Sequence, residues 1–370
     1  MPFEGHKLYI WVKVYQLMQK IKLGITIGDI NGIGPEIIIK ALSDGNLLKY
    51  CTPIIYGSTK VMAYHKNIVK ETDFTFSSAY DAAKVSHNKI AVINCWDETV
   101  NINLGTVTEE GGKFAHIALD RAVEDAKEGK IDAIVTAPIN KKAMQIANFN
   151  YPGHTEFLND RFGVKNSLMM MVSDLFKVGL VTNHVPVFDL KDHITKEAIK
   201  IKLKILQKTL KQDFGIEKPI VAVLGLNPHA GDNGAIGEED EKIIRPIIIE
   251  AKKHSGQIVT GPYPADGFFG SSQFKKPDGI LAMYHDQGLI PFKAMNFGNG
   301  VNYTAGLPVI RTSPDHGTAY DLAGTNSASA SSMIAAIRLA IDLARNKKAY
   351  KEANANPLKK QVEKKIEDIA

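Results

Sequence analysis

The sequence is poor in cysteine, in long apolar runs and in excess charge of one sign, and each shortage excludes a class of protein. Only Cys51 and Cys95 are cysteines among 370 residues. That is too few for a disulfide framework, and both stand in apolar, strand-like runs where a buried thiol is the default. A reducing compartment, the cytoplasm, is therefore expected. The longest apolar runs, such as 243–249, are broken by charge well before the ~20 residues a membrane helix needs, so no membrane association is expected. The first 19 residues carry Lys7 and Lys13 around the apolar Leu8 to Val12. They lack the sustained apolar core and small-residue cleavage site of a secretory signal, which is not expected here. Lys plus Arg exceed Asp plus Glu by 45 − 40 = 5. Part of that surplus lies in 346–351 and 359–365, so nucleic acid is not the expected partner.

What remains is an ordinary globular composition, 44% hydrophobic and 23% charged, which excludes a disordered or low-complexity chain. Single domains run roughly 100 to 200 residues, so this length implies two. Short β-rich runs alternate with amphipathic stretches, the pattern of an α/β fold with helices on both faces of a sheet. Strands are predicted at 23–27, 52–56, 89–94, 133–136, 168–172, 177–182, 220–224, 279–283 and 307–311. Helices are predicted at 114–128, 198–210, 239–251 and 331–344, and from Pro35, whose fixed φ suits a first helical turn backed by Ile37, Ile38 and Leu42. Residues 77–88 and 97–110 read as a polar, turn-rich excursion. The strand–loop–helix units begin only at Lys22, which makes Met18 a candidate start and residues 1–17 a candidate non-native extension. The domain reading is 18–140 plus 300–370 for the first α/β domain and 141–299 for the second.

Two groups of residues carry chemistry. Gly28-Asp29-Ile30-Asn31-Gly32-Ile33-Gly34-Pro35-Glu36 follows a strand and opens a helix, where backbone N–H groups can face an anion. The same spacing serves equally as a tight strand-to-helix turn. Of the eleven histidines, His184, His229 and His285 each follow a predicted strand, and in open α/β sheets the carboxyl ends of strands line the ligand crevice. Three neutral imidazoles suit zinc or cobalt better than magnesium, and an open coordination position makes such an ion a Lewis acid. His154 stands in Tyr-Pro-Gly-His-Thr. The other candidates, His6, His65, His87, His116, His193 and His254, sit in helical or polar contexts and read as surface residues.

Lys293, Asn302 and Arg311 form a candidate anion grip, since Lys293 and Arg311 lie in otherwise uncharged stretches where an unpaired buried cation is costly. The small-residue loop 313–325 offers close backbone approach to a flat ligand. Asn227, Asp232, Asn233, Asp266 and Asp286 are further polar candidates, each equally readable as a turn or cap residue.

Assembled in order, these segments resemble the 4-hydroxythreonine-4-phosphate dehydrogenases of pyridoxal phosphate biosynthesis. The likeness runs from about Lys22 to Ala344. It rests on the glycine-rich loop, Thr-Ala-Pro-Ile-Asn-Lys, Gly-His-Thr-Glu, Thr-Asn-His-Val-Pro, Leu-Asn-Pro-His-Ala-Gly, Gly-Pro-Tyr-Pro-Ala-Asp, Tyr-His-Asp-Gln-Gly and Asp-His-Gly-Thr-Ala-Tyr-Asp. The resemblance implies a two-domain isocitrate/isopropylmalate dehydrogenase-like fold with a central cleft, a homodimer with the active site at the subunit interface, NAD or NADP, and a divalent metal (zinc, cobalt or magnesium). It makes His184, His229 and His285 metal ligands, with the subunit supplying each left open. His154, Thr155, Lys293, Asn302 and Arg311 become substrate contacts. Asp266 and Lys293 become catalytic candidates, the general base being open among Asp266, a lysine and a metal-bound water. His316, Gly317, Thr318 and Asp321 become the cofactor loop.

The implied reaction is oxidation of a 3-hydroxyl to a 3-keto acid, which loses carbon dioxide to give 3-amino-1-hydroxyacetone phosphate. Two alternatives stand beside it: a paralogous dehydrogenase of phosphorylated threonate or erythronate, and a non-redox, phosphate-acyltransferase-like protein that would not need the histidine trio. This sequence departs from the family in residues 1–17, in 77–110 and in Gly267, where a threonine is usual.

Overall fold

The structure is a computed structural model that describes residues 20–356 apart from 44, 71–72, 254–257 and 297. The readings placed on 1–17, His6, His254 and 359–365 lie outside the described residues. In chain order the elements are β1 (Ile21–Thr26), α1 (Gly34–Leu42), β2 (Cys51–Gly57), α2 (Thr59–Ile68), β3 (Ser77–Ala79), β4 (Ala91–Asn94), α3 (Glu109–Lys127), β5 (Ala133–Thr136), α4 (Lys141–Ile146), α5 (His154–Arg161), β6 (Leu168–Val172) and β7 (Lys177–Leu180). There follow α6 (Leu190–His193), α7 (Lys196–Gln212), β8 (Ile220–Leu224), α8 (Arg245–Lys252), β9 (Ile258–Tyr263), α9 (Ala265–Phe269), β10 (Gly279–Ala282), α10 (His285–Met295), β11 (Val301–Ala305), β12 (Ile310–Pro314) and α11 (Ser331–Ala353).

All the strands join one sheet in the order β3-β4-β2-β1-β5-β12-β11-β6-β7-β10-β8-β9. The six strands from β3 to β12 are mutually parallel, as are β7, β10, β8 and β9. Between these blocks β11 and β6 pair antiparallel to each other and to their outer neighbours, so the two parallel blocks run in opposite directions. The strands of 18–140 and 300–370 occupy one side of the β11/β6 seam and those of 141–299 the other. Parallel strands covered on both faces need apolar side chains on both faces, and β2 accordingly is buried at every position. No helix among the described residues is long and apolar enough to cross a membrane.

The helices begin where side chains satisfy their free N–H groups. Thr108 accepts from the Gly111 N–H at the start of α3, Asn140 from Ala143 at α4, and Thr195 from Ala198 at α7. The predicted helix 239–251 is interrupted: Asp240–Ile244 form a π-helical turn before α8. There the buried Asp240 carboxylate accepts from the Leu226 and Asn227 N–H groups, at 2.8 and 3.0 Å.

Several expectations need correction. Three strands escaped the sequence pattern. β3 has only three residues, β11 mixes Asn302 and Thr304 into its apolar positions, and β9 carries Gly261-Pro262, which breaks its apolar run. The strand expected at 307–311 begins at Ile310, because Gly306 takes φ +95° in the preceding turn. His65 is a core residue with 2% exposure, its Nε2–H donating to the Ile30 carbonyl at 2.9 Å, and His116 packs edge-on against Phe149 and Phe157. The segment 97–110 is no free excursion either, since Asn31 accepts from the N–H groups of Asn103 and Gly105.

Candidate active site

The glycine-rich loop resolves as a structural turn. Residues 28–34 are buried, and four backbone N–H groups are already used: Asp29 to Pro138 O, Asn31 to Asp29 Oδ1, Gly32 to Asp29 O and Ile33 to Thr318 O. Gly28 has φ +71°, and a Cβ there would lie 2.4 Å from the Pro138 carbonyl oxygen, so only glycine fits. The loop instead anchors the 316–321 segment: Tyr320 Oη donates to Asp29 Oδ2 at 2.5 Å, and Thr318 is buried against Gly32. Burial pushes the Asp29 carboxyl above its ordinary range, opposed by its bonds from Tyr320 and Asn31.

The cavity that can take a ligand lies elsewhere. A space of about 290 Å³ opens among the ends of β5 and β12, the start of α5 and the loop after β7. Several predicted residues meet there: His154, Thr155, His184, Asn302, Arg311, His316 and Gly317 all line it. The Arg311 guanidinium, 3% exposed, donates only to hydroxyls, to Thr136 Oγ1 at 2.6 and 3.2 Å and to Thr304 Oγ1 at 3.1 Å. Burial pushes its pKa down to about 10, with Glu156 opposing. Three polar atoms on the same walls are buried with no partner in the structure: His154 Nε2, Asn302 Oδ1 and His316 Nε2. Burial, reinforced by the Arg311 charge, holds His154 well below its usual pKa, so its imidazole is neutral. Unpartnered buried polar atoms of this kind cost on the order of 1–3 kcal/mol each, a deficit that a ligand removes.

The histidine trio is brought together in part. β7, β10 and β8 are neighbours, and the His184 and His285 rings stand 6.0 Å apart between centroids. His285 Nδ1 is bonded to Asp286 Oδ1 at 2.7 Å, which fixes the ring and leaves Nε2 for a ligand. Burial and the Lys141 charge lower the His184 pKa and favour the neutral, ligating form. His229 is exposed on the loop after β8, where residues 229–233 all adopt left-handed φ between 40° and 79°. Among the described residues of one chain, no three His, Cys, Asp or Glu side chains are grouped to hold a metal ion.

Lys293 is exposed and outside the cavity wall, and it pairs at 3.4 Å with Asp315, which is a wall residue. Burial raises the Asp315 carboxyl above its ordinary range, opposed by Lys293. Asp266, at the start of α9, and Asp321 are exposed and outside the cavity wall. Sequence reasoning quoted the motifs of Thr136, Lys141 and Glu156 without assigning these wall residues. Their positions, Thr136 at the end of a strand and Lys141 and Glu156 in first helical turns, were the available signal.

A family model for the pyridoxal phosphate biosynthetic protein PdxA matches residues 49–340. The chain belongs to the PdxA family. Within the PdxA relatives, a 4-hydroxythreonine-4-phosphate dehydrogenase from Bacteroides thetaiotaomicron is 52% identical over 350 residues, covering 94% of this chain and 96% of its own. A protein from Oceanobacillus iheyensis provisionally named a D-threonate 4-phosphate dehydrogenase is 41% identical over 336 residues, covering 90% of this chain and 100% of its own. The crystal structure of 4-hydroxythreonine-4-phosphate dehydrogenase from Klebsiella pneumoniae superposes with a TM-score of 0.77 at 35% identity, covering 88% of this chain and 99% of that one. The mixed α/β architecture with its large central sheet is thus that of PdxA proteins.

Proposed function

We propose that the cavity is the substrate site of a 4-hydroxythreonine-4-phosphate dehydrogenase acting in pyridoxal phosphate biosynthesis. The chain oxidises the 3-hydroxyl of this phosphorylated amino acid to a 3-keto acid, which loses carbon dioxide to give 3-amino-1-hydroxyacetone phosphate. The observation that carries the reading is the Arg311 guanidinium, buried in the cavity wall with hydroxyl partners alone. A desolvated cation of this kind is matched by an anionic substrate group, which a guanidinium binds bidentately.

The chain's own residues then divide the work. Arg311 and Lys293 take the anionic ends of the substrate. Neutral His154, with Nε2 free, and Thr155 contact the phosphate side or the proton path, and Asn302 orients the substrate through its unpartnered Oδ1. Asp266 and Lys293 stay catalytic candidates for proton transfer. The His184–His285 pair suits zinc or cobalt by donor type and spacing. A divalent ion there supplies Lewis acidity and a nicotinamide supplies the hydride acceptor. His316 and Gly317 line the cavity, and the anchored loop through Thr318 and Asp321 carries the NAD or NADP side. His229, presented outward by its left-handed turn, completes the histidine set across a homodimer interface. The two sides of the β11/β6 seam support a two-domain reading with the cleft between them, in a cytoplasmic enzyme.

Purified protein with zinc or cobalt should form NADH or NADPH from 4-phosphohydroxythreonine, and His229→Ala should lose both metal and turnover. Reduced cofactor formed only from phosphorylated threonate would assign the paralogous activity. A blank with both substrates would remove the dehydrogenase reading.

A further inference from the structure

Two carboxylates line the cavity, and they differ in one respect: Asp315 is paired with Lys293 at 3.4 Å, whereas Glu156 has no hydrogen bond or ion pair among the described residues. Glu156 is the third residue of α5, partly buried, and its Oε2 lies 3.5 Å from the point that a Cβ on Gly153 would occupy. The carboxylate therefore turns back over the helix start, whose Gly153 and His154 are themselves cavity wall. Its charge is felt on two sides: it opposes the lowering of the Arg311 pKa and of the His184 pKa. Glu156 thus stands within electrostatic reach of both the buried guanidinium and the candidate metal-binding histidines.

A cavity built only to grip carboxylate and phosphate gains nothing from an unpaired carboxylate, which repels both. It gains if the ligand also carries a cation. In a phosphorylated 2-amino-3-hydroxy acid the ammonium sits on C2, between the carboxylate carbon and the C3 hydroxyl. Arg311, Glu156 and His184 all line the one cavity, so the ammonium falls to Glu156 if Arg311 holds the carboxylate and the reacting hydroxyl faces His184. We propose that Glu156 is the specificity-determining residue that binds the 2-ammonium group of the substrate and so separates 2-amino acids from their 2-hydroxy counterparts. The inference rests on the substrate reading above. The competing structural role is a helix start stabilised by an acidic third residue. Glutamine is equally at home at the third position of a helix start, and it fills the same space without the charge.

Glu156→Gln is the corresponding test, with kcat and KM measured on the phosphorylated 2-amino-3-hydroxy acid and on the phosphorylated 2,3-dihydroxy acid, and thermal unfolding recorded beside them. A charge-assisted hydrogen bond predicts a loss of about 10- to 100-fold in kcat/KM on the amino substrate, mainly through KM. The dihydroxy substrate should be used as well as before or better, with the unfolding midpoint unchanged. Glu156→Asp, which keeps the charge on a shorter arm, should recover part of the preference and provides the measurement if the Gln variant is unstable. Equal losses on both substrates, or no loss on either, overturn the inference while leaving the substrate reading intact. A wild-type enzyme that prefers the dihydroxy acid overturns both.

Discussion

The glycine-rich loop at residues 28–34 and the cavity around Arg311 both carry polar residues at strand ends, yet they are opposites. In the loop, the Asp29, Asn31 and Ile33 groups are all bonded within the chain. In the cavity, a guanidinium is matched only by hydroxyls, and three neighbouring polar atoms have no partner. Folding has finished the first region and left the second incomplete. Polar satisfaction, more than glycine spacing or charge, separates a structural turn from a binding site here.

The largest expected effect that sharpens this contrast is at Arg311. Arg311→Met should lower kcat/KM by about 1000-fold, since a bidentate anion contact is lost. Because the buried cation has no carboxylate bonded to it, unfolding free energy should hold or rise by about 1 kcal/mol. A large stability loss in urea titration would show Arg311 to be structural. Gly28→Ala should behave in the reverse sense. With φ +71° and a Cβ 2.4 Å from the Pro138 oxygen, it should cost about 3 kcal/mol in the same titration, and any folded fraction should keep its KM.

Acid should act through the finished region as well. Burial lowers the His65 pKa from 6.5 to about 4, so between those values the unfolded chain binds a proton that the folded chain refuses. Stability is therefore full above about pH 6.5 and falls as pH drops toward 4, by about 3 kcal/mol for this group. His154, lowered in the same direction, adds to the loss. Chemical denaturation across that window should show His65→Gln with a flatter pH dependence, glutamine being able to donate to the Ile30 carbonyl without titrating. The smallest stability effect is expected at Lys293, whose exposed pair with Asp315 contributes under about 1 kcal/mol. Lys293→Ala should leave the unfolding midpoint nearly unchanged while raising KM about 5-fold, and an unaltered KM would remove it from the substrate site.

Much of the fold was legible because its strands are short apolar runs: 133–136, 168–172 and 220–224 coincide with β5, β6 and β8. β9 and β11 were not legible, since one contains Gly261-Pro262 and the other mixes Asn302 and Thr304 into its apolar positions. Within the site, the residue types of His154, Asn302 and Arg311 were readable, but their shared wall was not. Arg311 meets Thr136 from 175 positions away, a distance that no local pattern encodes. His65 was misread for the same reason. Its helix looks amphipathic and polar, and only packing over the Ile30 carbonyl buries it.

The sequence by itself determined the α/β class, most strands, the ordered motifs of the PdxA family and the residue types available for chemistry, because periodicity and spacing are properties of neighbouring residues. The tertiary structure decided which polar groups found partners. It closed the glycine-rich loop on itself, paired His184 with His285 while turning His229 outward, and left Arg311, His154 and Glu156 facing a shared cavity. Desolvation and hydrogen bonding are settled by contacts between residues far apart in the chain, so only the packed molecule could separate the finished turn from the unfinished site.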